Sequence, residues 1–128
     1  MITRKYKILV IDDEAEVVSL LQQYLENAGY EVIATQSGPV GLALAVSQKP
    51  DLIILDIIMP EIDGLTVLKD LRSENYTCQV PVILLTAKGR TEDILEAEKY
   101  RPTDYVIKPV QLSYLLGLIK KYLDLYSR

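Results

Sequence analysis

The chain predicts an α/β domain in which a parallel five-stranded sheet carries helices on both faces. Two observations lead there. Five strand-length apolar runs alternate with five helix-length segments, and no linker, repeat or low-complexity stretch interrupts them. The central runs are apolar without alternation, as strands covered from both sides must be.

The first strand is KILVID, Lys7–Asp12. From Glu14 to Ala28 the apolar positions are Val17, Val18, Leu20, Leu21, Tyr24, Leu25 and Ala28. That spacing is helical, and Gly29 is placed to end the helix. YEVIAT, Tyr30–Thr35, is a second strand, polar enough to belong near a sheet edge. Ser37 can cap a helix with Pro39 in its first turn; it runs to Ser47 and stops before Pro50. DLIILD, Asp51–Asp56, is the third and most apolar strand. Gly64–Arg72 spaces Leu65, Val67, Leu68 and Leu71 as a short helix. VPVILLTA, Val80–Ala87, is the fourth strand, and Thr91 is placed to cap a helix from Glu92 to Lys99. DYVIKP, Asp104–Pro109, makes a short fifth strand, and Gln111 to Tyr126 the last helix. Right-handed crossovers suit the order 2-1-3-4-5, a flavodoxin-like doubly wound (βα)5 sheet whose order is already known from flavodoxins.

At 128 residues the chain fits one domain, 1–128, with a single core. Its net charge of −4 argues against gripping nucleic acid or an anionic membrane through bulk charge. One cysteine, Cys78, excludes an internal disulfide, and the absence of histidine removes serine–histidine chemistry and histidine metal sites. No signal-peptide pattern opens the chain and no apolar run approaches a membrane span, so a cytoplasmic location is expected.

The crevice of such a sheet lies beyond the carboxyl ends of its strands. The first strand ends in Asp12 and Asp13, the third in Asp56, the fourth in Thr86 and the fifth in Lys108. In the order above those four strands are consecutive neighbours. Three carboxylates, a hydroxyl and a lysine should therefore converge, with a residual charge of about −2 that a crevice does not tolerate unpaired. All-oxygen, hard ligands favour Mg²⁺ (or Mn²⁺). A carboxylate nucleophile beside such a cation, a lysine and a hydroxyl suits phosphoryl transfer onto aspartate.

The motifs VIDDE (10–14), LDIIMPEIDG (55–64), LLTAK (84–88) and DYVIKP (104–109), in this order and spacing, resemble the receiver domain of two-component response regulators. The resemblance covers about Lys5 to Tyr126. It implies that Asp56 is the phosphoacceptor, fed by a sensor histidine kinase or a phosphotransfer protein. It implies a cation held by Asp12, Asp13, Asp56 and the backbone carbonyl of Ile58. Lys108 and Thr86 would contact the phosphoryl group, Tyr105 would act as an aromatic switch, and Pro109 would follow a cis peptide. The chain would be a signalling switch for a downstream effector, not a turnover enzyme, and would carry no output domain. The absence of histidine fits a donor supplied by another molecule.

Two departures stand out. Receivers usually have a glycine-alanine pair before the fifth strand, where this chain reads Arg101-Pro102, and Val110 stands where phenylalanine is common. The fourth helix has only Ile94, Leu95 and Ala97 as apolar side chains before Tyr100, so it should shift at low cost. On the last helix Leu112, Leu115, Leu116, Ile119 and Leu123 form a core stripe. Tyr114, Leu118 and Leu125 form a second, continued by Tyr122 and Tyr126. The combined arc of roughly 200° exceeds the ~100° one buried face needs, which predicts a homodimer or partner surface at this helix.

Three rival readings fare worse. A haloacid-dehalogenase-like hydrolase would need a second aspartate two residues after the nucleophile, where Ile58 stands. A flavin carrier would need a phosphate loop where the chain has DDEAE, which repels phosphate. A receiver that works without phosphorylation fits poorly with the intact Asp12, Asp13, Asp56, Thr86 and Lys108 set.

Overall fold

The computed structural model describes residues 5–59 and 63–126. Its elements are β1 (Lys7–Ile11), α1 (Ala15–Asn27), β2 (Glu31–Thr35), α2 (Gly38–Gln48), β3 (Leu52–Asp56), α3 (Gly64–Ser73), β4 (Val82–Ala87), α4 (Thr91–Ala97), β5 (Asp104–Lys108) and α5 (Leu112–Tyr126). A 3-10 turn, Glu98–Tyr100, extends α4. All strand pairs are parallel and the order is β2-β1-β3-β4-β5, with the more polar β2 at an edge as expected. Pro60, Glu61 and Ile62 of the matched motif lie outside the described residues. No helix among the described residues is long and apolar enough to cross a membrane.

Strand alternation divides the core in two. On one face Ile8, Val10, Leu52, Ile54, Ile83, Leu85 and Val106 pack against α1 and α5 through Leu21, Leu25, Leu115 and Ile119. On the other, Leu9, Ile11, Ile53, Leu55, Val82 and Leu84 meet Ala45, Val67, Leu68 and Leu71 of α2 and α3. Every residue of β3 is buried. Burying one such Ile or Leu side chain stabilises by about 1.5–3 kcal/mol, so the central strand is a rigid base for what stands at its end.

Helix ends follow local chemistry. Ser37 Oγ accepts from the Val40 N–H at 3.2 Å, and Pro39 sits in the first turn of α2. Asp63 caps α3 in the same way through the Thr66 N–H at 2.9 Å. Gly29 closes α1 at φ 101°, a conformation that glycine adopts without strain.

Three expectations change. β4 starts at Val82, not Val80, because the Val80 N–H turns back to the Thr77 carbonyl at 3.1 Å and Pro81 has no N–H to give. Thr91 is the first residue of α4 and not its cap; Arg90 precedes the helix and its guanidinium pairs with Asp93 instead. On α5 the buried residues are Leu115, Leu118, Ile119 and Leu123. Leu118 therefore belongs to the core, while Leu112 and Leu116 are only half-buried at its flank. Tyr122 also turns inward: its hydroxyl donates to Asp104 Oδ2 at 2.6 Å, and that bond pushes the phenol up to about 12. Tyr114, Leu125 and Tyr126 remain exposed.

The Arg101 departure has a structural answer. Arg101 sits at φ 54°, the left-handed region where glycine is at home. The guanidinium of Arg72 on α3 holds its carbonyl with two bonds, Nε at 3.1 Å and Nη2 at 3.0 Å. The same guanidinium binds the Val80 carbonyl at 2.7 Å, so one planar fork ties the start of β4 to the turn before β5. The Lys108–Pro109 peptide is cis.

Candidate functional site

β1, β3 and β5 deliver their polar ends to one edge of the sheet. Within β3 alternation keeps Asp56 on the face of Leu52 and Ile54, and within β5 it keeps Lys108 on the face of Val106. Asp12 follows the last residue of β1, where its N–H still bonds the Thr35 carbonyl at 3.2 Å. One carboxylate oxygen each from Asp12, Asp13 and Asp56 lie within 4.8 Å of one another. Asp12 is fully buried and Asp56 nearly so, at 5% exposure, while Asp13 is half-buried.

Lys108 is the counter-ion. Its Nζ lies 2.8 Å from Asp12 Oδ2, 2.8 Å from Glu14 Oε1 and 3.3 Å from Asp56 Oδ2. The contact with Asp12 is a charge pair off the line of a hydrogen bond, which leaves Asp12 Oδ2 buried without a hydrogen-bond donor among the described residues. Asp12 Oδ1 accepts the Glu14 N–H at 2.8 Å, and Asp56 Oδ1 accepts the Ile58 N–H at 3.2 Å.

The charges do not balance. Burial, the field of Asp12 and the contact with Asp13 push the Asp56 carboxyl up to about 7, although Lys108 and the Ile58 N–H pull it down. Burial alone would lower the Lys108 amine. Its close contacts with Asp12 and Glu14 and the fields of Asp12 and Asp56 outweigh that, and hold it above the usual lysine range. An oxygen-only site with excess negative charge and an unsatisfied buried carboxylate oxygen has the donor chemistry of a hard divalent cation site.

The other expected site residues stand nearby in different settings. Thr86 is buried at the end of β4, but alternation puts it on the opposite sheet face, with Leu84, toward α4. Among the described residues its hydroxyl makes only a long 3.5 Å contact, to the Ala87 carbonyl. Tyr105 lies on that same face, since it pairs with Leu84 while Ile107 pairs with Thr86. Tyr105 as a whole is 41% exposed. Ile58 has an exposed side chain two residues beyond the end of β3. Glu14 was not among the expected site residues, although its place directly after the acidic pair was a signal for it.

Gly64 is also structural to the site. A Cβ there would run into the Asp56 carbonyl oxygen and come within 2.7 Å of Ile57 Cα. The Gly64 N–H donates to the Ile57 carbonyl at 2.6 Å, so α3 begins pressed against the backbone of Asp56 and Ile57.

Comparison with known proteins agrees with this geometry. The family model of the response regulator receiver domain matches residues 8–120. The DNA-binding dual master transcriptional regulator RpaA of Synechocystis sp. is 38% identical over 117 residues, 91% of this chain and 48% of its own. The alkaline phosphatase synthesis transcriptional regulatory protein PhoP of Bacillus subtilis is 43% identical over 103 residues, 80% of this chain and 42% of its own. The chain thus spans about half the length of the curated relatives it matches. Among solved structures, a CheY-like response regulator receiver domain protein from Methanospirillum hungatei superposes with a TM-score of 0.91 at 27% identity, covering 97% of this chain and 98% of its own. The chemotaxis protein CheY4 of Vibrio cholerae does so at 0.88 and 28%, covering 93% and 99%. A match over most of its length, with the same sheet order and relatives above 30% identity, makes this chain a member of the response regulator receiver domain family.

Proposed function

We propose that Asp56 accepts a phosphoryl group from a sensor histidine kinase or phosphotransfer protein, and that the modified chain signals to a downstream effector. The observation that carries this reading is the meeting of Asp12, Asp13 and Asp56 around Lys108 at the end of a fully buried strand. An Asp56 carboxylate oxygen attacks phosphorus, the bond from phosphorus to the donor breaks, and its electron pair leaves with the donor. Asp12, Asp13, Asp56 and the Ile58 carbonyl would hold Mg²⁺ (or Mn²⁺), which when bound neutralises phosphoryl oxygens. Lys108 offsets charge at the acceptor, and Thr86 donates its hydroxyl to the phosphoryl oxygen. Ile58, two residues beyond Asp56, offers no acid or base for turnover of outside substrates.

Acetyl phosphate with Mg²⁺ should add one phosphoryl group to the intact protein, read by mass spectrometry. Asp56→Asn and chelation should each abolish it. An unmodified wild-type chain with every donor rejects the reading.

The output follows from the α4 side. Thr86 and Tyr105 share a sheet face on neighbouring strands, and α4 has a single buried side chain, Ala97. Movement of Thr86 toward a phosphoryl group makes room for Tyr105 and lets α4 shift. Tyr105, Ile107 and Tyr114 form an exposed apolar surface there, around a depression of about 470 Å³. We assign a second copy of the chain to this surface; contact with DNA is not part of the reading, because the net charge is −4. Leu118 is in the core, so the informative substitutions are Ile107→Glu with Tyr114→Glu. They should weaken self-association at least tenfold (about 1.4 kcal/mol) in sedimentation of the phosphorylated chain; an unchanged monomer–dimer balance counts against the surface.

A further inference from the structure

Lys108 does not serve Asp56 alone. Its contacts with Asp12 and Glu14 are both 2.8 Å, whereas Asp56 is 3.3 Å away. Three carboxylates surround the ammonium: Glu14 and Asp56 accept its N–H groups, and Asp12 meets it as a charge pair. A phosphoryl group on Asp56 draws the ammonium toward itself, and one carboxylate must loosen its contact. Asp12 is poorly placed to yield. It is fully buried, its Oδ1 is taken by the Glu14 N–H, and its Oδ2 has no hydrogen-bond donor among the described residues. Loss of Lys108 would leave it an uncompensated buried charge. The Glu14 side chain is 58% exposed, and water replaces its contact at little cost.

We propose that Glu14 is a positioning residue that holds Lys108 at the rim of the site and withholds part of its charge from Asp56 until the phosphoryl group arrives. The inference rests on the reading of Asp56 as the acceptor. It has two consequences of opposite sign. Glu14 slows phosphorylation, because it engages a donor that the phosphoryl group needs and adds negative charge facing an anionic donor molecule. It also supports divalent-cation binding, because it restrains the ammonium from competing for Asp12 and Asp56 and contributes its own negative field.

Glu14→Gln removes the charge and keeps the shape; Glu14→Ala removes the contact altogether. Glu16→Gln, exposed in the first turn of α1, makes the same change of net charge as Glu14→Gln and serves as the comparison. At saturating Mg²⁺, Glu14→Gln should take a phosphoryl group from acetyl phosphate about fivefold faster than wild type, and Glu14→Ala at least as fast. Calorimetric titration with Mg²⁺ alone should show affinity weakened about threefold in both. Glu16→Gln should move both quantities far less. Equal rates for Glu14→Gln and Glu16→Gln, with the wild type phosphorylated, overturn this inference and leave the acceptor reading intact. Rate and affinity falling together also overturn it, since that is the signature of simple structural damage. A wild-type chain that takes no phosphoryl group overturns the acceptor reading and this inference with it.

Discussion

Asp56→Asn should make the cation-free protein more stable, not less, even as it abolishes phosphorylation. Asp56 is buried among Asp12 and Asp13, and one lysine divides its charge between Asp12, Glu14 and Asp56. The amide removes one repelling charge, still accepts the Ile58 N–H, and leaves Lys108 paired with Asp12 and Glu14. The gain expected above neutral pH is about 2 kcal/mol. Its pH dependence is fixed in sign. The folded Asp56 carboxyl is raised from 3.8 to about 7, so the folded state keeps a proton that the unfolded chain has already released. Between about pH 4 and pH 7 the unfolded state therefore binds fewer protons, and stability falls as pH rises through that window. The advantage of Asp56→Asn should be absent below pH 4, grow to about pH 7, and level off above it. Mg²⁺ should reverse the ranking: at a concentration of 100 times the dissociation constant it stabilises the wild type by about 2.7 kcal/mol, and the variant much less. Thermal melts from pH 4 to 8, with EDTA and with Mg²⁺, measure all of this. A variant that melts below the wild type in EDTA at pH 7.5 would refute the account of charge strain at Asp56.

Gly64→Ala should destabilise the fold more than any exposed substitution. The added carbon meets backbone, the Asp56 carbonyl and the Ile57 Cα, and no side-chain rotation relieves that. Either α3 retreats from β3 or the backbone of Asp56 and Ile57 moves. Retreat breaks the 2.6 Å bond from the Gly64 N–H and loosens Val67, Leu68 and Leu71 in the core. A loss of about 3 kcal/mol is expected, or a fall in melting temperature of roughly 10–15 °C. Gly29→Ala is the contrast: its φ is positive but nothing lies near its Cβ, so only backbone strain of about 1 kcal/mol arises. Equal melting temperatures for the two variants would show that the close approach at Gly64 has no energetic weight.

Much of this protein could be read from the order of its residues. Five apolar runs of strand length, with polar residues directly after them, are a one-dimensional pattern. In a parallel sheet all strands point the same way, so chain order alone brings Asp12, Asp56 and Lys108 to one edge. What the pattern lacks is the direction of each side chain relative to its neighbours. Thr86 ends its strand beside Asp56, yet alternation turns it to the other sheet face with Tyr105. Leu118 looked like surface on a helical wheel, but in the fold it is buried in the core that α5 shares with the sheet, because packing against neighbours and not spacing decides burial. Arg101 looked like a disruption of the turn before β5. Only the folded chain brings Arg72, 29 residues away, to hold its carbonyl. Glu14 shows the same division: the sequence by itself determined that an acidic residue follows the acidic pair, and the tertiary structure decided that it meets Lys108 at 2.8 Å. Spacing along a chain records which strand or helix a residue belongs to. Pairing of charges across 94 positions depends on how those elements pack, and packing is decided by the whole core at once.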